Sequence, residues 1–170
     1  MILKAGIEHA QLLSEIGAES FIESHKASAP SHEIDTYVSK IYSVPAIKGE
    51  ISNPENIYHI IKCNGEVAGF SKMELDRTHP AIPDSNISKM DQIYLLSSFY
   101  GLKLGAKLLE FNIDLSKSNG QTGMWLVIWI GNTQAVNFYK KFGFHIIKED
   151  VFHLTDTHIS PCYIMYLNYE

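Results

Sequence analysis

Two stretches of this chain bring together residue types that can do chemistry. In the first, an apolar run Ile93-Tyr94-Leu95-Leu96 leads into Ser97-Ser98-Phe99-Tyr100-Gly101-Leu102-Lys103-Leu104-Gly105, and a helical pattern starts at once. A glycine-bearing loop at a helix N-terminus turns successive backbone N–H groups outward. With the positive end of the helix dipole, those donors suit a pyrophosphate. Gly101 and Gly105 can take positive φ and carry no side chain that would block a ligand. Read alone, the same glycines serve equally well as ordinary turn chemistry. The second stretch, Gly131-Asn132-Thr133-Gln134-Ala135-Val136-Asn137-Phe138-Tyr139-Lys140-Lys141-Phe142-Gly143-Phe144, starts where an apolar strand ends and carries a tyrosine inside a helix. By itself, Phe138-Tyr139 also reads as core aromatic packing.

The elements that must position these stretches follow from periodicity and punctuation. After a short apolar start (Ile2 to Ala5), apolar residues over 8–26 recur at three- and four-residue steps, a helical spacing. Ala29-Pro30-Ser31 breaks it, and Ser31, Ile34 and Val38 predict a second helix reaching Tyr42. Pro45, Gly49 and Asn53-Pro54 predict a loop that lies over a site. Ile57 to Cys63, Asn64-Gly65 and Val67 to Leu75 read as a hairpin, because Asn-Gly favours a type I′ turn. A polar loop, 76–86, precedes a strand from Ile87 to Leu96. Leu104 to Ser118 carries the apolar stripe of a helix, and Asn119-Gly120 ends it. Gly123 to Ile130 is almost continuously apolar, as a strand buried on both faces requires. Asn132 can cap a helix that stops near Gly143. Phe144 to Lys148 and Tyr163 to Leu167 close the chain as strands. Alternating strands and helices behind a hairpin predict an α/β (α+β) fold with helices on both faces of a mixed sheet.

Composition narrows the function classes. The chain has 170 residues, a formal net charge of −5, and 14 lysines and arginines, of which only Arg77 is an arginine. A nucleic-acid binder needs a basic face to replace phosphate counterions, so that class is excluded. No apolar run is long enough for a membrane span, and charge interrupts the first residues too early for a secretory signal, so a cytoplasmic location is expected. Cys63 and Cys162 read as small buried hydrophobes rather than as a bridge. Among the eight histidines, His153 and His158 sit five apart with no cysteine at ligand spacing, so no metal is expected.

Taken together, in this order and spacing, the two stretches resemble the GNAT superfamily of N-acetyltransferases. The Asn132-x-x-Ala135-x-x-Phe138-Tyr139-x-x-x-Gly143-Phe144 pattern carries the resemblance most specifically, and the hairpin, strand, loop, helix, strand, helix order matches it. Ile93-Tyr94, Met124-Trp125-Leu126-Val127-Ile128-Trp129 and Tyr139-Lys140-Lys141-Phe142-Gly143-Phe144 look closest to bacterial polyamine N-acetyltransferases. The resemblance implies a mainly antiparallel sheet with a splayed central strand pair, and residues 1–170 as a single N-acetyltransferase domain. It implies acetyl-CoA as co-substrate, its arm lying between the strand Gln92 to Leu96, which bears Ile93, Tyr94 and Leu95, and the strand Trp125 to Ile130. The loop holding Tyr100, Gly101, Lys103, Leu104, Gly105 and Ala106 would take the pyrophosphate. Asn132, with Ala135 and Phe138 on the same helix, would contact the coenzyme. Many relatives dimerise, so a homodimer is expected by analogy. The loop departs from the family pattern, Gln/Arg-x-x-Gly-x-Gly/Ala: Tyr100 holds the first position and Lys103 replaces the middle glycine, where it can pair with phosphate as a point charge.

The implied chemistry is aminolysis of a thioester. The attacking amine must be neutral, although a primary ammonium has a reference pKa of about 10.4. Tyr139 matches the family tyrosine beside the thioester sulfur, and a phenol can protonate the departing thiolate. Asp91, just before Ile93-Tyr94, is the candidate base, acting through water, or else a solvated carboxylate at a strand entrance. Glu33, Asp35, Tyr37, Asp76, His79, Asp84 and Asp156 are candidates for the acceptor side, where carboxylates suit a small cationic amine such as a polyamine. A protein or peptide acceptor, and a non-catalytic acyl-CoA-binding module, are the alternatives.

Overall fold

The computed structural model describes residues 1–170. Seven strands, β1 (Ile2–Lys4), β2 (Asn56–Cys63), β3 (Glu66–Glu74), β4 (Ile87–Leu95), β5 (Gly123–Trp129), β6 (His145–Thr155) and β7 (His158–Asn168), form one sheet in the order β1-β2-β3-β4-β5-β7-β6. Every neighbouring pair is antiparallel except β4 and β5. Five α-helices cover it: α1 (Ala10–His25), α2 (Ser31–Ile41), α3 (Val44–Ser52), α4 (Leu104–Ser118) and α5 (Thr133–Lys141). The mixed, mainly antiparallel sheet and its two helical layers match the fold class expected from the sequence.

Each layer has its own core. On one face, Leu13, Ile16 and Phe21 of α1, Ile34 of α2 and Ile47 of α3 pack on Tyr58, Ile60 and Phe70. On the other, Leu109 and Ile113 of α4 and Val136 and Tyr139 of α5 pack on Met73, Met90, Met124, Leu126 and Met165. The β2–β3 turn has positive φ at both Asn64 (51°) and Gly65 (86°), as the type I′ reading requires.

Two elements differ from the sequence expectation. The loop expected around Pro45 and Gly49 is α3. Ser43 caps it by accepting from the Ala46 N–H at 3.3 Å, and Pro45 occupies the first turn, where its missing donor costs nothing. The closing strands are longer than their apolar cores suggest. β6 and β7 pair from His145–Tyr166 out to Thr155–His158. β6 is an edge strand, so it carries Lys148-Glu149-Asp150, charges that hide its period while protecting the edge.

The feature that makes a site is the parting of β4 from β5. Their pairing runs only through Ile87–Gly123, Ser88–Met124 and Lys89–Trp125. Beyond it, the β3–β4 register slips between Lys72–Gln92 and Met73–Met90, leaving Asp91 as an extra residue with no partner on β3. A bulge bends its strand and increases the local twist. Here it falls where β4 leaves β5, so the two strands diverge with their facing edges unpaired.

Candidate active site

A cleft of about 610 Å³ opens between the diverging strands. The two catalytic candidates and the candidate coenzyme contacts of β4, the loop and α5 line it: Asp91, Ile93, Tyr94 and Leu95 from β4, Tyr100, Gly101, Lys103, Leu104, Gly105 and Ala106 from the loop and α4, and Asn132, Ala135, Phe138 and Tyr139 from α5; of the strand Trp125 to Ile130, the residues from Leu126 to Trp129 join them. The sheet thus gathers residues separated by almost fifty positions of sequence into one wall.

At one end of the cleft lies the start of α4. The first helical bond there runs from the Lys107 N–H to the Lys103 carbonyl. No side chain caps this terminus, and every backbone N–H from Gly101 through Ala106 lacks an acceptor within the protein. Donors left open at a helix N-terminus favour a bound anion. The glycine logic is corrected in one respect. Gly101 takes positive φ (81°), but Gly105 lies inside the right-handed first turn, and Lys103 holds the second left-handed position (φ 59°). A Cβ at Gly105 would make only ordinary contact with Leu95 and Phe138 at 3.5 and 3.8 Å, so its absence widens the cleft. The open donors, the Lys103 ammonium and the unpaired strand edges fit a pyrophosphate with an amide-bearing arm.

Asn132 caps α5, its Oδ1 accepting from the Ala135 N–H at 3.1 Å. Tyr139 stands on the same helix, its ring packed edge-on to Phe138 and Phe144 at 5.1 and 5.5 Å. Its hydroxyl makes no hydrogen bond to the protein, and burial raises its pKa above the usual phenol value. This phenol therefore stands protonated at neutral pH and without a protein partner on the cleft wall.

Behind the gap lies a second, smaller pocket of about 200 Å³. Phe21, Tyr37, Tyr42, Tyr94, Trp129 and Phe152 give it aromatic walls, and Asp91, Gln92 and Ser160 contribute polar groups. Gln92 Oε1 and Ser160 Oγ are buried without a hydrogen-bond partner. His25, Asp91, Gln92, Tyr94, Val127 and Trp129 line both spaces, so they frame the opening between them. Cys162 also lines the smaller pocket; both cysteines are free thiols.

Asp91 reaches the opening, but its carboxylate is held by Lys89 Nζ at 2.6 Å and Lys72 Nζ at 3.2 Å. Burial would raise its pKa; the two ammonium groups outweigh burial and hold it below the ordinary carboxylate range. Lys72 is itself buried and also pairs with Glu50 of α3 at 2.6 Å. A carboxylate so neutralised is a weak proton acceptor, which the sequence could not disclose.

Of the seven acceptor-side candidates, only Tyr37 lines the smaller pocket. Glu33 instead ties α2 to the β6–β7 turn, accepting from the Thr157 hydroxyl at 2.6 Å and from Thr155. Asp84 accepts from the Tyr166 hydroxyl and Asp76 from Gln121, each at 2.8 Å, while Asp35 and Asp156 are exposed. His79 packs at a tilt against Trp125, whose indole N–H donates to the Arg77 carbonyl at 2.6 Å, so the 76–86 loop packs outside the pocket. His25 and Ser160 were not anticipated, and Gln92 and Trp129 were expected only as members of the two diverging strands; only the four-residue step from Phe21 to His25 hinted that the histidine shares the buried face of α1. No helix is long and apolar enough to cross a membrane, and no group of three or more His, Cys, Asp or Glu is arranged to hold a metal ion.

Comparison with known proteins gives consistent likenesses. The Acetyltransferase (GNAT) family model matches residues 18–144. A Lactobacillus delbrueckii subsp. lactis protein described as an uncharacterized N-acetyltransferase in the pepI 3′ region is 30% identical over 141 residues, 83% of this chain and 82% of that protein. The crystal structure of PaiA N-acetyltransferase from Thermoplasma acidophilum in complex with coenzyme A superposes with a TM-score of 0.80 at 22% identity, covering 99% of this chain and 98% of that one. YncA, a putative acetyltransferase from Salmonella typhimurium with acetyl-CoA, superposes with a TM-score of 0.67 at 17% identity, covering 100% and 94%.

Proposed function

This chain belongs to the GNAT family of acetyltransferases, and from that premise we propose that it transfers the acetyl group of acetyl-CoA to the primary nitrogen of a slender cationic amine, with a polyamine as the leading class. The observation that carries the reading is the pair of spaces meeting at one opening between β4 and β5, one lined by open N–H donors and the other by aromatic faces. Residues 1–170 act as one domain in this reading, since a single sheet runs from Ile2 to Asn168.

The co-substrate's pyrophosphate is assigned to the N–H groups of Gly101 through Ala106, with Lys103 as a point charge. The pantetheine arm is assigned to the edges of β4 at Ile93–Leu95 and of β5, with Asn132, Ala135 and Phe138 alongside. The co-substrate supplies the activated acetyl group. Tyr139 holds the proton that the leaving sulfur requires, and burial keeps that phenol protonated at neutral pH.

The smaller pocket supports an amine that brings donors. Gln92 Oε1 is an unpartnered acceptor, the Asp91 carboxylate and the Lys89 ammonium in the same wall offset each other, and the aromatic rings offer faces to a cation and to methylene groups. Its volume of about 200 Å³ suits the end of an aliphatic amine. The Glu33 tie between α2 and the β6–β7 turn favours a small acceptor over a protein segment. Binding both partners across one opening supplies the orientation that can remove roughly 7–11 kcal/mol from a bimolecular barrier.

The test is to incubate the protein with acetyl-CoA and a panel of polyamines, amino acids, aminoglycosides and peptides, following free thiol and product mass. Acetylation of a primary nitrogen on the polyamines is expected. No thiol release above blank across the panel would overturn the reading.

A further inference from the structure

We propose that His25 accepts the proton from the attacking nitrogen, through an Nε2 atom held at the opening between the coenzyme cleft and the amine pocket. The proposal rests on the acceptor reading above. It answers a need left open by the ion pairs of Asp91: a base at the opening that is neutral and uncommitted.

The position is unusual within the fold. His25 is the last residue of α1, and it lines both spaces. Its ring lies flat on Phe21, with centroids 4.0 Å apart and planes 8° from parallel. Nδ1 sits 3.2 Å from the Phe21 carbonyl and 2.8 Å from the Ser24 hydroxyl. The Ser24 hydroxyl donates its proton to the Ser20 carbonyl at 2.8 Å and a carbonyl can only accept, so in this arrangement Nδ1 carries the proton and Nε2 the lone pair. Nε2 has no partner in the protein. The tautomer, the ring plane and the open nitrogen are thus all fixed by α1 itself, as an orienting contact fixes a catalytic imidazole.

The surroundings keep the ring neutral. Burial lowers its pKa below the ordinary histidine value, and the Phe21 carbonyl opposes this only in part. Sharing its two spaces are Ser24 from α1, Tyr37 and Tyr42 from α2 and its end, Lys89, Asp91 and Tyr94 from β4, Trp129 from β5, Tyr139 from α5 and Cys162 from β7. Burial raises all four phenols, so they stay uncharged, and Asp91 is neutralised by Lys72 and Lys89. A neutral imidazole therefore meets the nitrogen when the N–C bond forms and that nitrogen becomes acidic.

The protons balance. The incoming ammonium loses one proton to water as the aromatic pocket desolvates it, because desolvation lowers an ammonium pKa. The neutral amine attacks the acetyl carbon, the N–C bond forms and the C–S bond breaks. The nitrogen's second proton goes to His25 Nε2, and Tyr139 gives its proton to sulfur. His25 then returns its proton, through water, to the Tyr139 phenolate. One ammonium and one thioester yield one amide, one thiol and one solvent proton.

The experiment compares wild type, His25→Gln and His25→Ala from pH 5 to 9, with the best amine of the panel. Wild-type kcat is expected to fall on acidification with a midpoint below 6.5, matched by the His25 ring titration read by NMR with coenzyme A and the amine bound, since kcat reports groups in the bound complex. His25→Gln is expected to lose about 100-fold in kcat at pH 7.5, within the usual range for a general base. It should keep its acetyl-CoA affinity by calorimetry and lose the acid limb. Imidazole should restore part of the His25→Ala rate. A His25→Gln enzyme within threefold of wild type, or one changed only in KM for the amine, would overturn the assignment while leaving the acetyltransferase reading intact. Lack of turnover by wild type with every amine would overturn that reading and this one together.

Discussion

Removing the Tyr139 hydroxyl tests the mechanism with least damage to the fold. The ring is 7% exposed and wedged between Phe138 and Phe144, and Phe would keep those edge-on contacts. The hydroxyl makes no hydrogen bond to the protein, so its removal orphans no partner. Tyr139→Phe should therefore stay within about 1 kcal/mol of wild-type stability, roughly 2–4 °C in Tm for a chain of this size. Catalysis should change far more. A positioned proton donor typically contributes 10²–10⁴-fold, so kcat should fall at least about 100-fold, equivalent to about 2.7 kcal/mol of barrier. Three measurements on one preparation decide it: thiol release for kcat, calorimetry for acetyl-CoA, and a thermal melt. An unchanged kcat, or a loss of kcat matched by a loss of acetyl-CoA affinity, would refute the reasoning. Because burial raises the phenol pKa, wild-type kcat should also show no alkaline fall from this group up to pH 10.

Three further outcomes follow from the same geometry. Asp91→Asn leaves Lys72 and Lys89 without their shared carboxylate and should lower stability by about 1–3 kcal/mol in a thermal melt at pH 7. Its folded pKa is depressed, so the contribution is present above the unfolded value near 3.9 and is lost as pH falls through the folded pKa; below pH 4 the variant and wild type should converge, and a gap independent of pH would contradict the pairing. Lys103→Gly suits the left-handed backbone there (φ 59°) but removes a charge, so the melt should hold while calorimetric acetyl-CoA affinity falls about three- to tenfold and becomes less salt-dependent. Gly131→Ala drives a Cβ into the Trp129 indole, which lines both spaces; a shifted tryptophan emission and at least a fivefold higher KM for the amine are expected, and an unchanged KM would show that the indole does not shape the amine seat.

The coenzyme side of the site was legible because short-range chemistry dictates it. Gly101 and Asn132 serve the local backbone as a left-handed turn residue and a helix cap, and such needs are written in neighbouring residues. α4 likewise begins and ends where its stripe and Asn119-Gly120 predict. Lys103 shows the limit, since it takes a conformation expected of glycine and shifts the second left-handed position off Gly105. The smaller pocket was illegible because its walls come from α1, α2, β4, β5, β6 and β7, joined only by tertiary packing. Polar candidates such as Glu33 and Asp84 proved to be committed to structural partners. Asp91 was found by position, but the lysines that neutralise it lie two residues away on β4 and across the strand pair on Lys72, a coupling set by register and a bulge. His25 was hidden for a related reason: its meaning depends on which way the end of α1 points.

The two spaces open toward different layers of helices, the larger beneath α4 and α5 and the smaller between α1, α2 and the β6–β7 hairpin. In the proposed reading, nucleotide and amine therefore approach from opposite layers and meet only at a shared window in the sheet. On that reading neither has to wait for the other to clear a corridor, and each product would depart by the route its precursor used. Traffic of that kind imposes no compulsory queue, and initial-rate patterns should show either substrate able to arrive first.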